Sequence, residues 1–180
     1  MKKLNKFAII AVLGVMLFSI NLMAATKAPP VASAKQSTPQ VILGGETDIM
    51  TECVIFAGRH IFVGFVHIWS DQDYVYVRYS TVGNWYLTET HLHLATDWRN
   101  IPQTKTGNPI PGHFAYQMEH AFVNEYTYQI PRVEWKYGAA HCVVVDKGNG
   151  QEETGWARNK VPPYGEFPGR NWAWYFEMRN

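Results

Sequence analysis

Apolar and polar positions alternate in short runs along most of this chain. Residues 51–56, 61–69, 74–79 and 85–94 each place Val, Ile, Leu, Phe, Tyr or Trp at a spacing of two. That is the period of a strand with one face buried. Ser70-Asp71-Gln72-Asp73 and Val82-Gly83-Asn84 supply turn chemistry between them, so the last three runs read as a meander of hairpins. Residues 122–130 give a further strand, stopped by Pro131, and residues 137–145 are apolar on both faces, as expected of a central strand. Asp146 to Gly150 turns the chain again, and residues 171–178 close it. Two Pro/Gly-rich loops interrupt the pattern, at 97–113 and 161–169. Loops of such length in a compact domain are more often functional or packed than idle. Beyond residue 48 no run of ten or more residues has a helical period, apart from a short turn near Asp97-Trp98-Arg99. The expectation is an all-β domain, an antiparallel β-sandwich of about seven to eight strands without internal repeats.

The N-terminus breaks this pattern. Lys2, Lys3 and Lys6 precede an uncharged, mostly apolar run from residue 7 to 20, which ends in Leu22-Met23-Ala24-Ala25. This is the layout of a bacterial secretory signal peptide over residues 1–25, cleaved after Ala24 or Ala25. The rival reading is a retained anchor, because the uncharged stretch 7–26 approaches the roughly 20 residues that span a bilayer. Its Asn-, Ser- and Ala-rich end and the polar, Pro-containing segment that follows favour cleavage. No Cys follows the apolar run, which argues against a lipoprotein anchor, and no second apolar run appears, so a soluble mature protein is expected. Residues 26–47 read as a flexible linker and residues 48–180 as the folded domain. The expected location is outside the cytoplasm: extracellular, at the cell surface or in the periplasm. Any membrane contact would run through an uncleaved signal segment.

Export changes the charge. Removing 24 residues takes three of the 16 basic residues and none of the 15 acids, so the mature chain carries 13 − 15 = −2. A nucleic-acid partner, which needs a basic face, is not expected. Export also bears on Cys53 and Cys142, the two cysteines, each in an apolar strand-like run. In an oxidising compartment they are expected to pair. The bridge would close a loop of about 90 residues, worth about 4 kcal/mol in the chain-entropy model. The alternative is two buried thiols packing as small hydrophobes.

Chemistry-bearing residues concentrate in Thr88-Glu89-Thr90-His91-Leu92-His93-Leu94. On a strand, Glu89, His91 and His93 share one face. His141, flanked by Ala and Val, reads as buried, and His120 begins another strand. Two readings follow. Glu89, His91, His141 and His120 form a site for a divalent metal such as zinc, in a metal-binding protein or a metal-dependent hydrolase. Alternatively the same residues are a buried polar cluster whose members satisfy one another and no cofactor is bound. Either way Glu89, His91 and His141 are expected together. His60, His67 and His113 fall at turns or on solvent-facing positions. Glu89, Asp97, Glu152, Glu153 and Glu166 offer carboxylates, but spacing selects no pair for glycoside hydrolysis. There is no Gly-x-Ser-x-Gly and no phosphate-cradling Gly-rich loop. Aromatic content is 14%, with seven Trp. Most are expected in the core, and Trp98, in the long loop, is the best candidate for an exposed ligand-stacking ring.

Several strings, taken together, resemble a recurrent, poorly characterised family of secreted microbial β-domains. They are Trp85-Tyr86-Leu87-Thr88-Glu89-Thr90-His91-Leu92, the segment 101–112 ending Gly107-Asn108-Pro109-Ile110-Pro111-Gly112, Ala139-Ala140-His141, Glu152-Glu153-Thr154-Gly155-Trp156-Ala157, and Phe167-Pro168-Gly169-Arg170-Asn171-Trp172-Ala173. The resemblance covers about residues 51–178. It implies an exported β-rich module and supplies no reaction, ligand or catalytic residue. Cys142 and Gly155 stand where Ala is more usual in that pattern; the first departure fits a disulfide particular to this chain. The leading expectation is a secreted, non-catalytic module with a binding or structural role, its ligand a carbohydrate or a surface protein. The alternatives are the metal-dependent protein above and a polymerising surface subunit, whose N-terminal tail would pair with a neighbour's sheet edge.

Overall fold

The computed structural model describes residues 51–179, which form ten strands and two single 3-10 turns. The strands are β1 (Thr51–Ala57), β2 (Ile61–Ser70), β3 (Tyr74–Thr81), β4 (Trp85–Ala95), β5 (Tyr116–Val123), β6 (Glu125–Pro131), β7 (Tyr137–Asp146), β8 (Glu152–Asn159), β9 (Gly165–Glu166) and β10 (Trp174–Glu177). The expected signal peptide and linker lie outside the described residues. Among the described residues no helix is long and apolar enough to cross a membrane.

The all-β, antiparallel expectation holds, but the layers do not divide into two sheets. Eight strands follow one hydrogen-bonded path, β5-β4-β7-β8-β1-β2-β3-β6, with β10 added on β7 and β9 on β10. This single sheet curls until it is nearly a barrel. Alternation of buried and exposed positions is common to sandwiches and closed sheets, so the pattern alone does not distinguish them. The closure comes from one corner. β5 and β6 are separated only by Asn124, and the chain leaves β4's side to pair with β3. The Asn124 carbonyl accepts from Thr81 N–H at 2.8 Å, and its side-chain amide donates to the Trp85 carbonyl at 3.2 Å. Both ends of the β3–β4 hairpin are thereby pinned to the corner. Phe122, at φ 58°, absorbs the bend.

Inside the curl the buried positions meet. Cys53, Ile55, Val66, Val77, Leu87, Leu92, Val144 and Phe176 are all essentially inaccessible to solvent and belong to one cluster. Polar groups bridge its closure: Tyr79 Oη donates to the His91 carbonyl at 2.9 Å, and Tyr128 Oη to the Thr90 carbonyl at 3.0 Å. Tyr79, on β3, and Tyr128, on β6, thus reach across the interior to β4, and each buried hydroxyl is satisfied.

The expected disulfide is not formed. Cys53 and Cys142 are both buried free thiols, not a disulfide. Cys53 pairs with Asn159 of β8 and Cys142 with Gly155 of the same strand. Four residues of strand separate those two registers, about 13 Å at the usual rise. A disulfide needs Cα atoms within about 7 Å. The thiol of Cys142 has a different task. A Cβ on Gly155 would lie 2.9 Å from its Sγ and 3.1 Å from Ile55 Cγ2. Cys142 and Gly155 face each other across the β7–β8 ladder, so the larger residue on one strand is matched by the smaller on the other. β8 is a full central strand at residues to which the sequence pattern assigns no element.

Candidate functional site

Strands β4, β7 and β8 carry the chemistry on their outward face. On β4, Thr90, Leu92 and Leu94 point into the barrel, leaving Glu89, His91 and His93 outside. On β7, Ala140, Cys142 and Val144 point in and Ala139, His141 and Val143 out. Cross-strand register then sets one row of side chains over the outer surface: Gln117, His91, His141, Trp156, Phe56 and Phe62, one from each of six adjacent strands.

The two loops cover the middle of this row. Residues 96–115 and 160–173 fold back over β7 and β8, and Phe114, Phe167, Ala173 and Trp174 bury a second apolar cluster with Ala139 and Trp156. Asn108 joins the loops. Its side-chain carbonyl accepts from Asn171 N–H at 2.9 Å, and its backbone carbonyl accepts from Thr104 N–H at 2.8 Å. Gly107, at φ 84°, lets the chain turn against Pro168. The long loops are therefore packed walls.

His141 sits beneath them, 8% exposed. Its Nδ1 lies 3.2 Å from His91 Nδ1, and its ring packs on Trp156 with centroids 4.8 Å apart. His91 Nε2 lies 4.0 Å from Glu89 Oε2. The Glu89 charge favours the proton on His91 Nε2, which leaves Nδ1 to accept from His141 Nδ1–H. Burial, reinforced by His91, pushes the His141 imidazole down to about 3. Burial lowers His91 as well, with Glu89 opposing it. Both rings are neutral near pH 7, and the hydrogen bond between them joins two neutral groups.

Glu89, His91 and His141 thus stand together, as expected, but as a row. Glu89 faces one nitrogen of His91 and His141 faces the other, so the three do not surround a common point. Among the described residues no group of three or more His, Cys, Asp or Glu side chains is placed to hold a metal ion. His120 is not brought to this row. It lies on the inner side of β5, with Nε2 2.9 Å from Thr90 Oγ1 and its ring against Tyr126. Trp98 is half-buried, not free: Tyr175 stacks flat on it at 5.1 Å and Phe167 meets its edge. It borders a depression with Arg99, Gln103, Lys105 and Pro168, but only one ring face is left for a ligand.

A second concavity, also rich in donors, was not singled out by sequence. Where the β1–β2 turn meets the two loops, a groove of about 470 Å³ is lined by Arg59, Thr154, Trp156, Arg170, Asn171 and Trp172, with Pro109 and Pro111 on the loop side. Trp156, the neighbour of His141, is its link to the histidine row. Trp172 is half-buried and meets Trp174 edge-on at 5.4 Å, so the chain fixes its ring while leaving part of it accessible. Arg59 and Arg170 bring guanidinium groups, and no Asp or Glu lines the groove. Arg59 extends from a turn in which it and Gly58 both have positive φ, 75° and 52°, closed by His60 N–H to the Ala57 carbonyl at 3.2 Å. Three strings that the sequence makes distinctive, 107–112, 152–157 and 167–173, converge on this one place. No family model matches the chain, and no curated protein or solved structure matches it significantly, so what the groove holds has to be argued from its own residues.

Proposed function

We propose that this protein is an exported, non-catalytic binding module whose ligand site is the groove formed by Arg59, Trp156, Arg170, Asn171 and Trp172, and that its ligand is a saccharide. The observation that carries the reading is the combination of an accessible, held indole with hydrogen-bonding side chains around one concavity. A pyranose has apolar C–H faces and a polar rim. The face suits an indole ring, and the rim suits Asn, Thr and Arg donors and acceptors. The groove's volume falls within the range usual for ligand sites, about 300–1,000 Å³. Its lining holds no Asp, Glu, His, Cys or Lys, the side chains that most often act as acids, bases or nucleophiles. The walls are loops packed over a second apolar cluster, which preorganises the site and lowers the entropic cost of binding.

The test is retention on a panel of immobilised polysaccharides, neutral and acidic, read by affinity electrophoresis or pull-down. Wild type should be retained by at least one class, and Trp172→Ala should lose most of that retention while keeping the wild-type melting temperature within a few degrees. Failure of every polysaccharide to retain the wild type would remove the reading.

A further inference from the structure

We infer that the groove selects acidic saccharides, holding the carboxylate of a uronate-type residue with Arg59 and Arg170 while the sugar ring lies against Trp172. This rests on the saccharide-site reading above and adds the ligand's charge.

Three observations carry it. First, the groove's two ionic side chains are both guanidinium groups, although residues 51–179 carry 11 basic and 13 acidic side chains, 11 − 13 = −2. Second, the guanidinium groups are available. Among the described residues no carboxylate lies within ion-pair distance of Arg170. Arg59 has one exposed contact, its Nη2 3.7 Å from Glu166 Oε1, which leaves most of its five N–H donors unused. The other arginines that meet aromatic or acidic groups are engaged. Arg158 is caged by Phe56, Tyr164 and Trp174, and Arg99 is paired with Asp97. Third, Arg59 occupies a position that glycine would fill without strain. At φ 75° an L-residue is in the sparsely populated left-handed region, and a turn with two positive φ values favours Asn-Gly or Gly-Gly. Retaining a long cationic side chain there destabilises the turn and positions a guanidinium on the rim of the groove. Strain of this kind concentrates where a side chain serves a site.

The planar, forked guanidinium matches a carboxylate with two parallel hydrogen bonds, which a neutral sugar cannot offer. Glu166 is the internal competitor: its carboxylate rests near Arg59 until a ligand carboxylate displaces it.

The experiment uses alginate, polygalacturonate and hyaluronate, each beside its carboxyl-reduced, neutral form, with full mature protein in low-salt buffer at pH 7. Wild type should be retained by at least one of the three acids and about tenfold or more weakly by its reduced form, the scale of a lost charge-assisted contact. Added salt should weaken the retention. Arg170→Gln should lower it by a similar factor. Arg59→Gly should lower it too, with a melting temperature no lower than wild type because the strain is relieved. Equal retention of an acid and its reduced form, or retention of neutral polysaccharides only, would overturn the charge selection and leave the saccharide reading standing. Loss of all retention, neutral and acidic, would overturn both. Undiminished binding of the acids by both Arg→Gln and Arg→Gly proteins would place the carboxylate elsewhere and overturn this assignment.

Discussion

The two faces of strands β4 and β7 are built from the same stretches of sequence and behave as different materials. The inner face is aliphatic and closed, with Leu92, Val144 and Cys142 sealed from solvent and its few hydroxyls bonded across the barrel. The outer face carries Glu89, His91, His141 and, one strand on, Trp156, roofed by two loops that leave a groove at one side. Alternation puts a residue that stabilises the fold next to one available for chemistry, at every step. The inner set holds the barrel shut; the outer set needs the barrel only as a rigid platform. Substitutions on the two faces should therefore separate stability from binding.

The largest effect belongs inside. Leu92 is fully buried, and Leu92→Ala should destabilise the protein by about 3 kcal/mol, from lost transfer energy plus the cavity left behind. Trp172→Ala on the outer side should change stability by about 1 kcal/mol or less and remove most of the saccharide retention. Chemical denaturation of both variants, beside the retention assay, gives the comparison. If Leu92→Ala loses binding with no loss of stability, the division of labour between the faces is wrong.

A subtler inner-face test uses the Cys142–Gly155 pair. Gly155→Ala places a methyl against Cys142 Sγ and Ile55 and should cost about 2 kcal/mol as overpacking. Cys142→Ala alone leaves a small void and should cost about 1 kcal/mol. The double variant restores the total volume, so its stability should lie closer to wild type than the sum predicts, a coupling that a double-mutant cycle measures directly. The thiols themselves should resist alkylation in the folded protein. Burial raises both, Cys142 to about 12, and in denaturant without reductant both should react.

These two faces also show what a single sequence discloses. The period-two pattern placed the ends of β1 to β4 and β7 within two residues, and it put Glu89, His91 and His93 on one face because alternation leaves no other choice. It joined His141 to them through a simple argument: an imidazole among Ala and Val is buried and needs a partner. It assigns no element to residues 151–160, because Glu152, Glu153 and a mid-strand glycine interrupt the apolar alternation of β8, and the reason for the glycine is a sulfur atom on another strand. It expected one strand from 122 to 130 because nothing local marks Asn124 as a barrel corner. The disulfide failed for the same reason: pairing depends on registers set by β8, a strand the pattern did not show. The groove assembles Arg59 from a turn and Arg170, Asn171 and Trp172 from a loop, and only the tertiary fold brings them together.

Acid should act through the buried histidines, and most strongly through His141 of the outer face. His141 is held neutral until about pH 3, whereas in the unfolded chain an imidazole takes up its proton near pH 6.5. As pH falls below about 6.5 the unfolded state binds more protons than the folded state, so stability falls with pH down to the folded value. From pH 6.5 to 5 this one residue should remove about 2 kcal/mol. His67, His91, His93 and His120 are lowered as well and add slope of the same sign. The contribution of His141 is therefore read as a difference: His141→Asn should flatten the dependence of stability on pH between 5 and 6.5 relative to wild type. Parallel curves would show that the ring is not held neutral in the folded state.

The smallest effect is the most diagnostic of the groove, because its sign opposes the usual one. Most substitutions destabilise, yet Arg59→Gly replaces an L-residue at φ 75° with the residue that adopts this conformation freely. Relief of left-handed strain, about 1 kcal/mol or somewhat more, is partly offset by the greater freedom glycine gives the unfolded chain. Loss of the exposed 3.7 Å contact with Glu166 adds little, since such pairs contribute at most about 1 kcal/mol and often nothing. The net should be a gain of about 0.5 kcal/mol, measured by denaturant midpoint at unchanged slope. Arg59→Ala, which keeps the strain and removes the guanidinium, should fall below Arg59→Gly in stability and match it in lost retention. That ordering separates backbone strain from side-chain function at a single position. If Arg59→Gly instead destabilises the turn as much as Arg59→Ala, the arginine serves the fold, and the contrast between a platform and the site it carries fails at the one residue where the two make opposite demands.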